Sequence, residues 1–172
     1  VLFIIGLLMS LLAVAMGLPA IADLATGNPD WQVFAGSAAV SLFVGVSLML
    51  TTRSTSMTNL NLRQAFLLTT MSWVAVAAVG ALPFAFSELE ISVADAFFES
   101  MSGITTTGAT VITDLEFQSK GILIWRALLQ WLGGIGIVVM AVAVLPMLQV
   151  GGMQLFRLDS SDNAEKILPR AI

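Results

Sequence analysis

Long apolar stretches separated by short polar ones set the pattern of the chain. Residues 1–22, 31–52 and 64–87 carry no charge, and a fourth stretch, 121–154, carries only Arg126 near its start. Each exceeds the roughly 18 residues needed to span hydrocarbon as a helix, so the pattern predicts four transmembrane spans. The fourth is longer than a straight crossing and predicts tilt, bending or emergence into water. Between the third and fourth spans the pattern changes. In residues 92–103, SVADAFFESMSG, Val93, Ala96, Phe97 and Met101 recur at helical spacing behind Ser92, a suitable N-cap. Twelve residues of helix reach only about 18 Å, too short to cross. The next stretch, ITTTGAT, is polar and β-branched and ends near a glycine, which predicts backbone that is not helical.

Composition agrees with the pattern. Hydrophobic residues make up 58% of the 172 and charged ones 10%, against roughly 45–50% and about 25% in soluble domains. The expected class is an all-α integral membrane protein. Arg53 and Arg63 lie between spans two and three, and Arg157, Lys166 and Arg170 follow span four, so the positive-inside rule places both segments in the cytoplasm. The other side is acidic: Asp23 and Asp30 join spans one and two, and Glu88, Glu90, Asp95, Glu99, Asp114 and Glu116 flank the threonine run. That acidity reads either as an ordinary solvated face or as local enrichment of cations at an entrance. Counting crossings puts the N-terminus inside and the threonine loop outside.

A short helix entering from outside has to return there as extended chain, because span four must start outside for its basic tail to end inside. Non-helical backbone at membrane depth is tolerated only where protein buries it or where it lines a water-filled cavity. A re-entrant helix followed by such backbone is how an ion selectivity filter is built, with carbonyl oxygens replacing the hydration shell of a cation. Gly108 can supply dihedrals that other residues avoid, and the hydroxyls of Thr105, Thr106 and Thr107 can ligate or lock neighbouring backbone. A plainer account, a polar turn between a surface helix and span four, fits the same residues.

SMSGITTTGAT followed by LLQWLGGIGIVV resembles the first pore loop and following inner helix of the Trk/Ktr superfamily of potassium transporters, its TrkH-like subunits above all. The resemblance covers the whole chain and is specific over residues 98–147. It implies a two-helix N-terminal hairpin over residues 1–55. One helix, re-entrant pore loop, helix repeat of potassium-channel type follows over 56–157, and a cytoplasmic connector over 158–172. Thr106, Thr107, Gly108 and Ala109 then stand where a potassium channel has its filter tetrad, with Thr105 before them and Thr110 after, and K+ held at Thr106, Thr107 and Gly108. Thr107 and Ala109 replace bulkier side chains of channels. The resemblance further implies residence in the bacterial inner membrane, homodimerisation and a cytosolic TrkA-like nucleotide-binding ring as partner. It implies no organic cofactor, no nucleic-acid partner and no enzymatic activity.

No second TTTG or QWLGG occurs, and a filter needs about four strands around the ion. Either three further repeats follow in a longer chain, which the absence of an initial Met and the abrupt end at Ile172 favour, or four copies assemble as a homotetrameric cation channel. Gly133, Gly134 and Gly136 read as close helix packing or as a flexible point in the inner helix. Met140, Met147 and Met153 read as packing residues, and Gly151-Gly152 as the exit to the connector. With no Cys or His, no GxSG and no acidic residue within the four spans, an intramembrane hydrolase lacks the groups it would need.

Overall fold

Helices α1 (Leu2–Ala15) and α2 (Gly17–Thr26) form one span, Leu2–Thr26, broken at Met16 in the computed structural model, which describes residues 2–52 and 62–144. Pro19 explains the break: it has no N–H to offer the Ala15 carbonyl, while the flanking bonds from Met16 to Leu12 (3.0 Å) and from Ala20 to Met16 (3.2 Å) survive. Gly27 ends α2 in the left-handed region (φ 73°), and the Asn28 N–H reaches the Asp23 carbonyl at 2.9 Å. The first span thus runs four residues past the uncharged stretch. Asp23 sits inside a helix rather than in a loop.

After this turn come α3 (Trp31–Thr52), α4 (Leu62–Phe86), the short α5 (Val93–Ile104), a single 3-10 turn at Leu115–Phe117 and α6 (Lys120–Val144). Among the described residues four spans are long and apolar enough to cross a bilayer, as the pattern predicts. The loop holding Arg53, the end of span four with Gly151-Gly152, Met147 and Met153, and the connector with Arg157, Lys166 and Arg170 lie outside the described residues.

The described residues up to Ile137 form one compact unit, and the hairpin packs directly on the elements that follow. α1 and α3 meet backbone to backbone. A Cβ on Gly6 would stand 2.6 Å from the Gly45 carbonyl oxygen, and one on Gly45 2.8 Å from that of Gly6. α1 and α3 both touch α4, and Phe34 of α3 lies edge-on to Trp125 of α6, centroids 6.3 Å apart at 72°. Met16, Phe34, Phe84, Trp125 and Leu129 are buried together, whereas Leu11, Val14, Ile21, Phe43 and Leu50 face outward, a surface suited to hydrocarbon.

Pro83 interrupts the hydrogen-bond ladder of α4, and near it the Gly80 carbonyl accepts Trp125 Nε1–H at 2.9 Å. A Cβ on Gly80 would strike the Ser100 hydroxyl of α5, and one on Gly103 would come within 3.0 Å of Leu129 Cβ. Small residues therefore bring α4, α5 and α6 together around the end of the short helix.

Candidate functional site

The short helix begins as the sequence predicts. Ser92 caps it by accepting the Asp95 N–H at 3.1 Å, while the Asp95 carboxylate accepts the Ser92 N–H at 3.3 Å, a complete capping box. It ends at Ile104, where α6 approaches so closely that a Cβ on Gly133 would overlap the Ile104 carbonyl oxygen. α6 stays helical through Gly133, Gly134 and Gly136, so Gly133 is a packing residue and the stretch is not a break.

A helix leaves its last carbonyls without intrahelical donors. Here the threonine loop fills them. Thr105 N–H and its hydroxyl both donate to the Met101 carbonyl (2.9 and 2.8 Å), and Thr106 N–H donates to Gly103 (2.9 Å). Thr107 and Gly108 N–H share the Ser102 carbonyl (3.0 and 3.3 Å). In a trans peptide the C=O points opposite to the N–H. With these donors turned into the protein, the carbonyls of Thr105, Thr106 and Thr107 point away from it. Among the described residues nothing donates to the carbonyls of Thr106, Thr107 or Gly108.

The backbone adopts this course through two residues with positive φ, Gly108 (77°) and Thr106 (59°). Glycine does so freely; for a β-branched residue the conformation is a true outlier, and nothing in the sequence pattern signals it. Residues 105–110 form one loop at the end of α5, in which one peptide is turned differently from the rest. The Ala109 carbonyl accepts the Ser102 hydroxyl at 2.7 Å, so this carbonyl turns back toward α5, whereas those of Thr105, Thr106 and Thr107 point outward. Three of the hydroxyls brace the loop: Thr105 and Thr107 bond each other at 2.8 Å, and Thr110 donates to Glu99 at 2.6 Å.

Glu99 is the residue whose place the sequence pattern hides. Grouped there with an external acidic rim, it is 1% exposed. One carboxylate oxygen accepts the Thr110 hydroxyl, the Val111 N–H at 2.5 Å and the Ile112 N–H at 3.3 Å, and the other pairs with Arg126 Nε at 3.0 Å. Helical spacing from Ala96 to Gly103 puts Glu99 on the buried side, the one signal available. Glu88, Glu90, Asp114 and Glu116 are exposed and Asp95 is half-buried, so these make up the acidic rim.

Asp23 is also buried, 0% exposed, and braces the start of α6. Its carboxylate accepts the Gly121 N–H at 2.6 Å and the Ser119 hydroxyl at 3.2 Å, while Ser119 in turn caps the Ile122 N–H at 3.2 Å. Nearby Asp30 is buried beneath the Glu88 N–H (3.4 Å). Burial pushes the Asp30 carboxyl above its ordinary value, and the Glu88 backbone bond offsets this only in part. No cluster of three or more His, Cys, Asp or Glu side chains that could hold a metal ion occurs among the described residues.

A family model described as cation transport protein, TrkH, matches residues 30–171. Over 170 residues, 99% of the chain, the sequence is 39% identical to the Trk system potassium uptake protein TrkI of Halomonas elongata. Over 155 residues, 90% of the chain, it is 43% identical to the Trk system potassium uptake protein TrkH of Escherichia coli K12. The chain spans about a third of these relatives, 34% and 32% of their lengths. The crystal structure of the potassium transporter TrkH from Vibrio parahaemolyticus matches 88% of the chain with a TM-score of 0.82 at 42% identity, and 32% of that chain is covered. The four apolar spans, the short capped helix and the inward-tied loop are thus features of a chain that belongs to the TrkH family of cation transport proteins.

Proposed function

We propose that this chain supplies the first pore segment of a potassium uptake protein of the bacterial inner membrane, and that residues 105–110 form one strand of its selectivity filter. One observation carries this reading. The loop spends its N–H groups on the end of α5, leaving the carbonyls of Thr106, Thr107 and Gly108 without donors. Thr106, Thr107 and Gly108 are exposed, and non-helical backbone at membrane depth is tolerated only where it is buried in protein or lines a water-filled cavity. A dehydrated cation, held by a ring of such carbonyls, is the partner that fits. Thr106, Thr107 and Gly108 are the K+ ligands in this reading. Ala109 contributes a carbonyl only if its peptide turns from Ser102.

About four such strands encircle an ion, and three further repeats supply the rest. The relatives' names, potassium uptake proteins roughly three times as long, support both the ion and the repeats. The N-terminus faces the cytoplasm and the loop opens outside, where Glu88, Glu90, Asp114 and Glu116 enrich cations. The functional assembly is a homodimer on a TrkA-like cytosolic ring. The protein works as a transporter without an organic cofactor.

The test is Gly108→Ala in the intact protein, assayed by K+ and Na+ uptake in bacteria lacking their own potassium uptake. A Cβ at Gly108 meets no described atom within 4 Å, so its cost is backbone strain alone, about 1–3 kcal/mol. Uptake or K+/Na+ preference should fall at least tenfold with normal protein levels, whereas Thr113→Ala should change little. Equal, mild effects at both positions would return the loop to an ordinary polar turn.

A further inference from the structure

The inner part of the loop is tied to α5 through backbone, but its outer part is tied through one side chain. Val111 and Ile112 send their N–H groups, and Thr110 its hydroxyl, to a single oxygen of Glu99. Three donors converging on one oxygen is an arrangement that suits an anionic acceptor, because hydrogen bonds to a charged group are shorter and stronger than neutral ones. Buried carboxylates are costly unless paired, and Arg126, its side chain 12% exposed, supplies the pairing through the second oxygen. Arg126 stands on α6 and Glu99 on α5, so the pair also fixes the distance between the short helix and the inner helix at the level of the loop.

We propose that Glu99 is a positioning residue for ion selection: held by Arg126, it sets the course of Thr110–Ile112 and so the outer edge of the filter. The proposal rests on the filter reading above. Its physical content is that a filter prefers the larger ion only if its strand cannot close around the smaller one. On the inner side the strand is restrained by the end of α5; on the outer side Glu99 is the restraint. Without it, the Val111 N–H loses its acceptor, the Ile112 N–H keeps only the Thr110 hydroxyl at 3.1 Å, and the carbonyls from Gly108 outward gain freedom to approach a sodium ion.

Alternative uses of the pair are distinguishable. If Glu99 served only to neutralise Arg126, removing both charges would restore function. If it positions the strand, the double removal restores stability and leaves selectivity impaired. The experiment therefore uses the intact protein in bacteria lacking their own potassium uptake, with protein levels in the membrane measured for every variant. K+ and Na+ uptake are compared for Glu99→Gln, for Glu99→Ala with Arg126→Met, and for Thr110→Val, which removes the hydroxyl that donates to Glu99 and accepts the Ile112 N–H at 3.1 Å and leaves the ion pair intact. Exposed Thr113→Ala is the control.

The K+/Na+ uptake ratio should fall about tenfold or more in Glu99→Gln and in the double variant, by a smaller factor in Thr110→Val, and not at all in Thr113→Ala. A native ratio in the double variant at normal protein level would overturn the proposal. Should the Glu99 variants fail to reach the membrane, Thr110→Val decides: an unchanged ratio overturns it, a lowered one upholds it. Gly108→Ala separates the two readings, since a change there with none at Glu99 refutes only the positioning role, and no change at Gly108 refutes the filter itself.

Discussion

Gly133→Ala tests whether the seam between the short helix and α6 is what holds the loop in place. The added Cβ would overlap the Ile104 carbonyl oxygen and stand 2.6 Å from its carbonyl carbon and 3.0 Å from its Cα. Ordinary carbon contacts lie near 3.5–4.0 Å, so the two backbones must part by about 1 Å. Neither side is free to move: α6 is tied to α4 by Trp125 and Gly80 (2.9 Å) and to α5 by Arg126 and Glu99 (3.0 Å). Overpacking of this kind costs about 1–3 kcal/mol, and here the displacement falls on Ile104, one residue before the loop. Gly136 is the internal control, because a Cβ there meets no described atom within 4 Å. Replacing a helical glycine by alanine in open space gains up to about 1 kcal/mol of helix propensity, so the two substitutions should act with opposite sign. In the intact protein in detergent, Gly133→Ala should lower the midpoint of heat-induced aggregation and reduce potassium uptake, while Gly136→Ala should leave the midpoint unchanged or raise it. If both variants behave like the parent, α6 does not bear on the loop through Ile104 and the packing argument fails.

Asp30 and the membrane orientation offer two independent checks. Because burial raises the Asp30 pKa in the folded protein above 3.8, its contribution to stability is full below pH 3.8 and is lost as pH rises through the raised value. Asp30→Asn, which mimics the protonated side chain, should therefore be neutral or stabilising at pH 7, with the least difference from the parent near pH 4; a larger loss at pH 7 than at pH 4 would contradict the sign. For orientation, this segment contains no cysteine, so single cysteines at Asn28 and Thr58 of the intact protein can be labelled separately in whole cells. Asn28 should react with an impermeant reagent from outside and Thr58 should not, and labelling of both from one side would break the crossing order.

Periodicity and composition were sufficient for the elements whose causes are local. Three uncharged stretches and a fourth that carries only Arg126, each longer than a bilayer needs, become four spans, and Ser92 with Asp95 three residues later starts α5 where the pattern puts it. The positive φ of Gly108 was also legible, since a glycine among β-branched residues marks backbone that side chains disfavour. The loop's position after a helix too short to cross followed from length alone. What sequence could not reveal depends on partners far apart in the chain. Asp23 looks like a loop acid until α6, 98 residues later, presents its Gly121 N–H. Glu99 looks like part of an acidic rim until Arg126 and the N–H groups of Val111 and Ile112 close around it. Thr106 carries a conformation its own side chain resists, and the turned Ala109 peptide answers to a hydroxyl seven residues away. In hydrocarbon, span and helix are decided by the cost of leaving any backbone group unpaired, a cost each segment meets by itself. Which oxygens remain without a donor is decided only after every donor has found its acceptor, and that accounting exists only in the packed structure.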